Sequence, residues 1–186
     1  YLAHGVSIRT TTALLGTFGG LVVTLMVALW AVDAARLTGT SEDHALVLMG
    51  QVPGLSMSAI LLCGMLLAGL GALNDVTITQ VSTVWELHAA NPAVPRRRLF
   101  TQGMAVGRDH IASTVYTLAF AYVGTALPML MAASLMQRSF IDLLQVSLIS
   151  EEIVRTLTAS VGLILAIPLT TAIAAALAPV APTQRR

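Results

Sequence analysis

Four long apolar runs constrain this sequence more than any other feature, because each has the length of a membrane-spanning helix. They cover residues 13–32, 57–73, 111–133 and 156–178. A helix needs about 20 mostly apolar residues to cross the roughly 30 Å hydrocarbon core of a bilayer. With 56% hydrophobic and 10% charged residues, a chain of 186 residues cannot bury so much apolar surface in one soluble core. The sequence therefore predicts an all-α, polytopic membrane helix bundle with about four transmembrane helices and short amphipathic connecting helices.

The placement of arginine predicts how these spans are oriented. Arg96, Arg97, Arg98 and Arg108 lie between the second and third runs, and Arg9 precedes the first. The other two loops are poorer in arginine and richer in Asp and Glu. Because Arg and Lys collect in cytoplasmic loops, we expect the middle loop and both termini of the chain on the cytoplasmic side.

Serines followed by acidic pairs predict helix starts in the two remaining loops. Ser41 and Ser150 each precede two acidic residues. A serine oxygen accepts a hydrogen bond from a free first-turn N–H, and acidic side chains suit the positive end of the helix dipole. We therefore expect a short helix after Ser41 and a restart of the last helix near Ser150. Glu152 and Arg155 are spaced to form a structural ion pair.

The stretch "GLGALNDVTITQVSTVWELH" at residues 69–88 extends the second run with polar residues. Asp75, Thr79, Ser82 and Glu86 follow one another at intervals of four, three and four residues, which places them along one face of a helix. We refer to these four residues as the polar stripe. Neither Pro nor Gly interrupts residues 72–90, so the helix is expected to continue until Asn91 and Pro92 end it.

A second polar set marks the start of the third run, where Arg108 and Asp109 are followed by Ser113 and Thr117. An ionised side chain at the bilayer centre costs at least about 2.5–3.5 kcal/mol, so such groups face other helices or water. We therefore expect the two polar sets to face each other, with Arg108 neutralising Asp75, and to form an ion, proton or substrate path. The alternative is a surface stripe that faces water, although interfacial helices usually carry Lys or Arg there.

Several function classes lack their signatures in the sequence. The net charge of +1 argues against nucleic acid as a partner. The one cysteine and the four histidines show no metal-ligand spacing, so no metal and no cofactor is expected. No P-loop, nucleophile elbow or other catalytic motif is present, so we expect no enzyme. The expected partners are the lipid bilayer and further membrane helices, from the full-length protein or from partner subunits.

Two short stretches resemble each other: "RTTTALLG" at residues 9–16 and "RTLTASVG" at residues 155–162. Inverted repeats occur in transporters. Residues of such common types leave both a true repeat and a chance similarity open.

Three longer stretches carry a family resemblance: "AGLGALNDVTITQVSTVWELHAANP", "LFTQGMAVGRDHIASTVYTLAFAYVGTALPML" and "EEIVRTLTASVGLILAIPLTT". They are similar to the YibE/F-like family of bacterial multipass membrane proteins, over about residues 5–178. The sequence departs from the family pattern at Asn74, where the family often has Met, and at Gln145 and Ser147, where it often has Asn and Glu. The remaining positions of the pattern are Gly71, Asp75, Glu86, Gly103, Gly107, Arg108, Asp109, Tyr122, Gly124, Pro128, Glu152, Arg155 and Pro168.

The resemblance implies a location in the bacterial cytoplasmic (inner) membrane and a single transmembrane domain from the C-terminal part of a longer protein. Two hypotheses for the function follow. One is a transport protein, or the membrane subunit of a transport system, with the Asp/Arg/hydroxyl cluster on its path. The other is a non-transporting scaffold or regulatory subunit of a larger membrane complex, in which the same charges hold helices together.

Overall fold

The computed structural model describes residues 7–41, 43–135 and 140–178, and in these ranges it contains six helices and no strand. Four of the helices are long and apolar enough to cross a membrane. The predicted all-α polytopic bundle is therefore confirmed. The helices are α1 (Ile8–Ala34), α2 (Asp43–Gln51), α3 (Met57–Ala90), α4 (Arg96–Ser134), α5 (Phe140–Leu144) and α6 (Ser147–Leu177).

Local capping chemistry sets several of the helix boundaries. The Ser7 hydroxyl accepts a hydrogen bond of 3.1 Å from the Thr10 amide, and Ser56 caps α3 in the same way. The predicted short helix after Ser41 is α2. The last helix starts at Ser147, earlier than expected, and the Ser150 hydroxyl instead donates to the Leu144 carbonyl at 2.6 Å. α3 continues through the polar stripe to Ala90, as the uninterrupted sequence predicts.

α6 is the central helix of the bundle, since it packs against α1, α3 and α4. Half of its apolar segment is buried, whereas only 6% of the corresponding segment of α4 is buried. Close contacts show that α1 and α6 run antiparallel, because Gly16 approaches Thr170 and Gly20 approaches Ala166. The hydroxyl contact between Thr17 and Thr77 sets α1 against α3. Consecutive spanning helices therefore alternate in direction.

The α1–α6 contact has a local two-fold character. Gly16 packs on Thr170, and Gly162 packs on Thr24. The same separation in sequence relates Gly16 to Gly162 and Thr24 to Thr170, so the two contacts are reciprocal. The two similar stretches of sequence thus occupy equivalent places in one antiparallel helix pair.

This arrangement gives the bundle two chemically different ends. The basic end carries Arg9 and the arginines of the α4 start, Arg96–Arg98. The acidic end carries Glu151 and Glu152 at the start of α6, beside the loop that follows α1. The predicted orientation places the basic end in the cytoplasm.

A groove lined by Tyr122, Glu152 and Arg155

A groove of about 520 Å³ lies between α3, α4 and α6 in the half of the bundle near the acidic end. Its polar lining comes from Tyr122 of α4 and from Glu151, Glu152 and Arg155 of α6. The other walls are mainly apolar side chains from all three helices, among them Ala68, Leu118, Met129 and Leu148. We refer to this space as the groove.

The ion pair in the groove has a long donor–acceptor distance. Arg155 Nη1 and Glu152 Oε2 lie 3.6 Å apart, and about a quarter of each side chain is exposed. This distance exceeds the 2.7–3.2 Å that is usual for an N–H···O hydrogen bond. Arg155 Nε and the Tyr122 hydroxyl are both buried, and neither has a hydrogen-bond partner among the described residues. Two residues that line the groove therefore each carry a covered donor whose acceptor does not come from that part of the chain.

Glu151 has a different environment from its neighbour. Its side chain is buried, and one carboxylate oxygen accepts hydrogen bonds from the Ser41 hydroxyl at 2.7 Å and from the Gly39 amide at 3.2 Å. Gly39 has φ +73, and a side chain there would meet the Met57 carbonyl. Glu151 therefore fastens the loop after α1 to the start of α6, which leaves Glu152 as the carboxylate facing the groove.

An apolar cluster closes the inner end of the groove. Val76, Leu118, Leu163 and Ile167 are all at most 8% exposed and pack together at the junction of α3, α4 and α6. Leu118 belongs both to this cluster and to the groove lining. We refer to the four residues as the floor, because they separate the groove from the basic half of the bundle.

A buried polar layer lies on the far side of the floor and was not predicted from the sequence. Gln80 is fully buried, and its Nε2 donates to the Gly103 carbonyl and to the Thr171 hydroxyl, each at 2.8 Å. A side chain at Gly107 would lie about 3.1 Å from the Gln80 amide, so this glycine makes the fit possible. The Gly103 and Gly107 spacing is the small-xxx-small pattern of close helix packing, and it is the signal that sequence reasoning had available.

The structure places the predicted path residues at the bundle surface. Asp75, Arg108, Asp109, Ser113 and Thr117 are exposed. In the ranges that the structure describes, Asp75 and Arg108 do not form an ion pair.

The expected face-to-face contact between the two polar sets is absent for a packing reason. α3 meets α4 through Gln80 and Val84, which pack against Gly103 and Gly107. By helical periodicity, Gln80 and Val84 lie on a different face of α3 from the polar stripe. This face makes the contact because the α4 glycines allow closer approach than charged side chains do.

At the basic end, the polar stripe has a partner that the sequence did not reveal. Glu86 is exposed and accepts a hydrogen bond of 3.1 Å from Arg9 Nη1 of α1. Arg9 Nη2 also donates to the Ser82 carbonyl at 3.4 Å. Ser82 and Thr79 are half-buried. The stripe therefore ends at α1 instead of α4.

Helical periodicity divides the predicted residues into two groups. Ala68, which lines the groove, lies on the same face of α3 as Asp75 and Thr79. On α4, the face that continues to Leu118 is that of Gly107 and Ile111, and the exposed Arg108 lies beside it. The polar stripe thus continues the α3 wall of the groove past the level of the floor, whereas Arg108 lies at the edge of the α4 wall.

The other group points away from the groove. Asp109, Ser113 and Thr117 follow one another on a separate face of α4, and all three are exposed. We refer to them as the outer face of α4. In lipid, this face requires a covering helix or water.

Comparison with known proteins identifies the family. No curated protein and no solved structure shows significant similarity to the chain. The sequence model of the YibE/F-like protein family matches residues 1–180. Together with four helices of membrane-spanning length, this match supports an integral membrane protein. The chain belongs to the YibE/F-like family.

Proposed function

We propose that the chain is a membrane transport protein, or the membrane subunit of a transport system, and that its solute enters through the groove. The observation that carries the proposal is the groove itself: it reaches from the acidic end to an apolar floor, and its α3 wall continues into the polar stripe. A cavity that is open at one end and closed by apolar side chains at the other is what an alternating-access protein requires in one of its states.

The continuation of the path is assigned to the polar stripe and Arg108. Asp75 lies beside Thr77, whose hydroxyl is 2.6 Å from that of Thr17. Thr17 is nine residues into α1, or roughly 14 Å along the helix, and the proposal assigns this level of the bundle to the hydrocarbon core. A carboxylate at this depth is stable when it is protonated, hydrated or paired. In this proposal Asp75 binds a proton or a cation. Arg108 balances the negative charge of Asp75 when the protein changes conformation during transport.

Proline positions give the bundle places where it can bend. Pro168 lies inside α6, directly after the floor residue Ile167, and Pro128 lies inside α4 near the groove. A proline removes one backbone donor and kinks a helix. A change of the α6 kink at Pro168 moves Ile167 relative to Leu118, which would open the floor.

The outer face of α4 supports a role within a larger assembly. Asp109, Ser113 and Thr117 are exposed on a helix that buries very little of its apolar segment against this chain. Hydroxyls and a carboxylate at a lipid-facing position are covered by other helices in stable membrane proteins. Further helices of the full-length protein or of partner subunits are proposed as the cover. This face also favours the second candidate function, a scaffold or regulatory subunit.

The proposed location is the bacterial cytoplasmic membrane, with both termini and the basic end in the cytoplasm. The distribution of arginine supports this orientation. In this location the groove opens away from the cytoplasm.

The test uses the full-length protein in liposomes with a pH gradient and a defined external mixture of amino acids, sugars, organic acids, nucleosides and metal salts. Mass spectrometry then measures what the liposomes accumulate. We expect at least one solute to accumulate above the level in protein-free liposomes. Asp75→Asn and Arg108→Gln are expected to reduce that accumulation, whereas Asp33→Asn, at an exposed carboxylate away from the path, should retain it. Contents identical to those of protein-free liposomes would overturn the transport role.

A charge exchange distinguishes the scaffold. If the charged residues only hold helices together, combining Arg9→Glu with Glu86→Arg, at the ion pair between α1 and α3, restores the amount of folded protein that each single variant loses. Recovery of folding without any solute accumulation would favour the scaffold over the transporter.

A further inference from the structure

We infer that the groove binds a small zwitterion, namely an amino acid with an apolar side chain. The inference rests on the proposed transport role for its biological meaning, but the binding site itself is argued from the groove alone. The structure supplies three observations: unmatched donors, one available carboxylate and apolar walls.

The unmatched donors call for an oxyanion. Arg155 Nε and the Tyr122 hydroxyl belong to residues that line the groove, and both atoms are covered and without an acceptor from the described residues, so a ligand reaches them only when these side chains move. Buried donors without partners are destabilising, and native proteins seldom leave them so. A carboxylate matches a guanidinium, which donates to it through a planar pair of N–H groups, and it can also accept from a tyrosine hydroxyl. The loose 3.6 Å contact between Arg155 and Glu152 leaves the guanidinium accessible to such a group.

The charge balance of the groove disfavours a simple anion, because it would add to an excess negative charge that a zwitterion leaves unchanged. Glu151, Glu152 and Arg155 together carry one excess negative charge. Glu151 already accepts two hydrogen bonds from the loop after α1, so it is not available. Glu152 is then the natural partner of an ammonium group. A cation without an oxyanion would leave both unmatched donors as they are, whereas a zwitterion satisfies the donors and the carboxylate together.

The walls and size of the groove define the rest of the ligand. A volume of about 520 Å³ falls within the range of small-molecule sites. Away from its polar lining, the groove presents mostly apolar side chains, including Leu118, Met129 and Leu148. A sugar or a nucleoside would bury hydroxyls against these walls without partners. An apolar side chain such as that of leucine or methionine is compatible with them.

The test measures binding to the full-length protein in lipid nanodiscs by isothermal titration calorimetry. The probes are L-leucine and L-methionine, which carry both charges, N-acetyl-L-leucine, which lacks the cation, and L-leucine methyl ester, which lacks the anion. We expect both amino acids to bind and each blocked analogue to bind at least about tenfold more weakly, because each loses a charge-assisted contact. The inference is overturned if neither amino acid binds, or if the blocked analogues bind as well as leucine does.

Matched variants locate the site. Tyr122→Phe removes only the hydroxyl, and Arg155→Gln and Glu152→Gln remove one charge each, so all three should weaken leucine binding. The controls are Tyr116→Phe on the exposed side of α4 and Arg97→Gln at the basic end, which should bind leucine like the wild type. Wild-type affinity in Tyr122→Phe and Arg155→Gln would remove the assignment to the groove.

The two proposals fail separately. If the liposomes accumulate a solute that is not a zwitterion, and leucine does not bind, the transport role stands and the present inference falls. If leucine binds through Arg155 but no solute accumulates, the site stands and the transport role falls.

Discussion

Adding a single methyl group at Gly162 tests the packing of the central helix pair. A β-carbon at this position would overlap the Thr24 hydroxyl and would lie 2.9 Å from Thr24 Cβ and Cγ2. Overpacking of this kind costs about 1–3 kcal/mol. Alanine in place of glycine also gains up to about 1 kcal/mol from helix propensity. We therefore expect Gly162→Ala to lower the free energy of unfolding by roughly 1–2 kcal/mol.

The matched control is Gly64→Ala in α3, where a β-carbon meets no heavy atom within 4 Å. This variant should keep or slightly raise stability. The assay is denaturant-induced unfolding in mild detergent, followed by the fluorescence of the protein's tryptophans. The pairing is checked by adding Thr24→Ala to Gly162→Ala, which removes the Thr24 hydroxyl and Cγ2 but leaves its Cβ 2.9 Å away, and which should therefore recover part of the loss. Equal stability of Gly162→Ala and Gly64→Ala would refute the described packing, and so would an unchanged loss in the double variant.

Two further predictions concern the buried polar layer and the α6 start. Thr171→Val removes one of the two acceptors of Gln80 Nε2 and should destabilise the bundle by about 0.6–1.7 kcal/mol, the range for membrane hydrogen bonds. Thr170→Val, at a buried hydroxyl without a partner among the described residues, should be neutral or stabilising. Unfolding curves that rank the two variants in the opposite order would contradict the hydrogen bond between Gln80 and Thr171. Glu151→Gln weakens the hydrogen bonds to Ser41 and Gly39, so amide hydrogen exchange at residues 37–41 should accelerate. Exchange rates unchanged from the wild type would show that Glu151 does not hold the loop.

The architecture was predictable because it depends on length and periodicity. Four apolar runs are enough to require four spanning helices, and the absence of Pro and Gly from residues 72–90 is enough to carry α3 to Ala90. The intervals of four, three and four residues also predicted that the polar stripe lies on one helix face. These inferences need no knowledge of neighbouring helices.

The neighbours of each face were not predictable in the same way. Periodicity shows that Asp75 and Glu86 share a face, but it does not show which helix that face meets. The structure pairs Glu86 with Arg9 and leaves Asp75 without an ion pair in the described ranges. The α3–α4 contact forms instead where glycines let the backbones approach. Gln80 lies outside the polar stripe, and a single glutamine gave no sequence signal of its own. The groove depends on the positions of three helices and was therefore not predicted.

The central position of α6 has a consequence for how the bundle is made. α6 follows α1, α3 and α4 in the chain, yet it supplies the partners of Thr24, Gln80 and Gly107. During synthesis the first three spanning helices enter the membrane before α6 leaves the ribosome. Until then Gln80 lacks the Thr171 hydroxyl, and Gly16 and Gly19 of α1 have no helix to pack on. The nascent protein therefore passes through a stage in which the polar layer around Gln80 is open to lipid or to the insertion machinery, and the arrival of the last helix closes it.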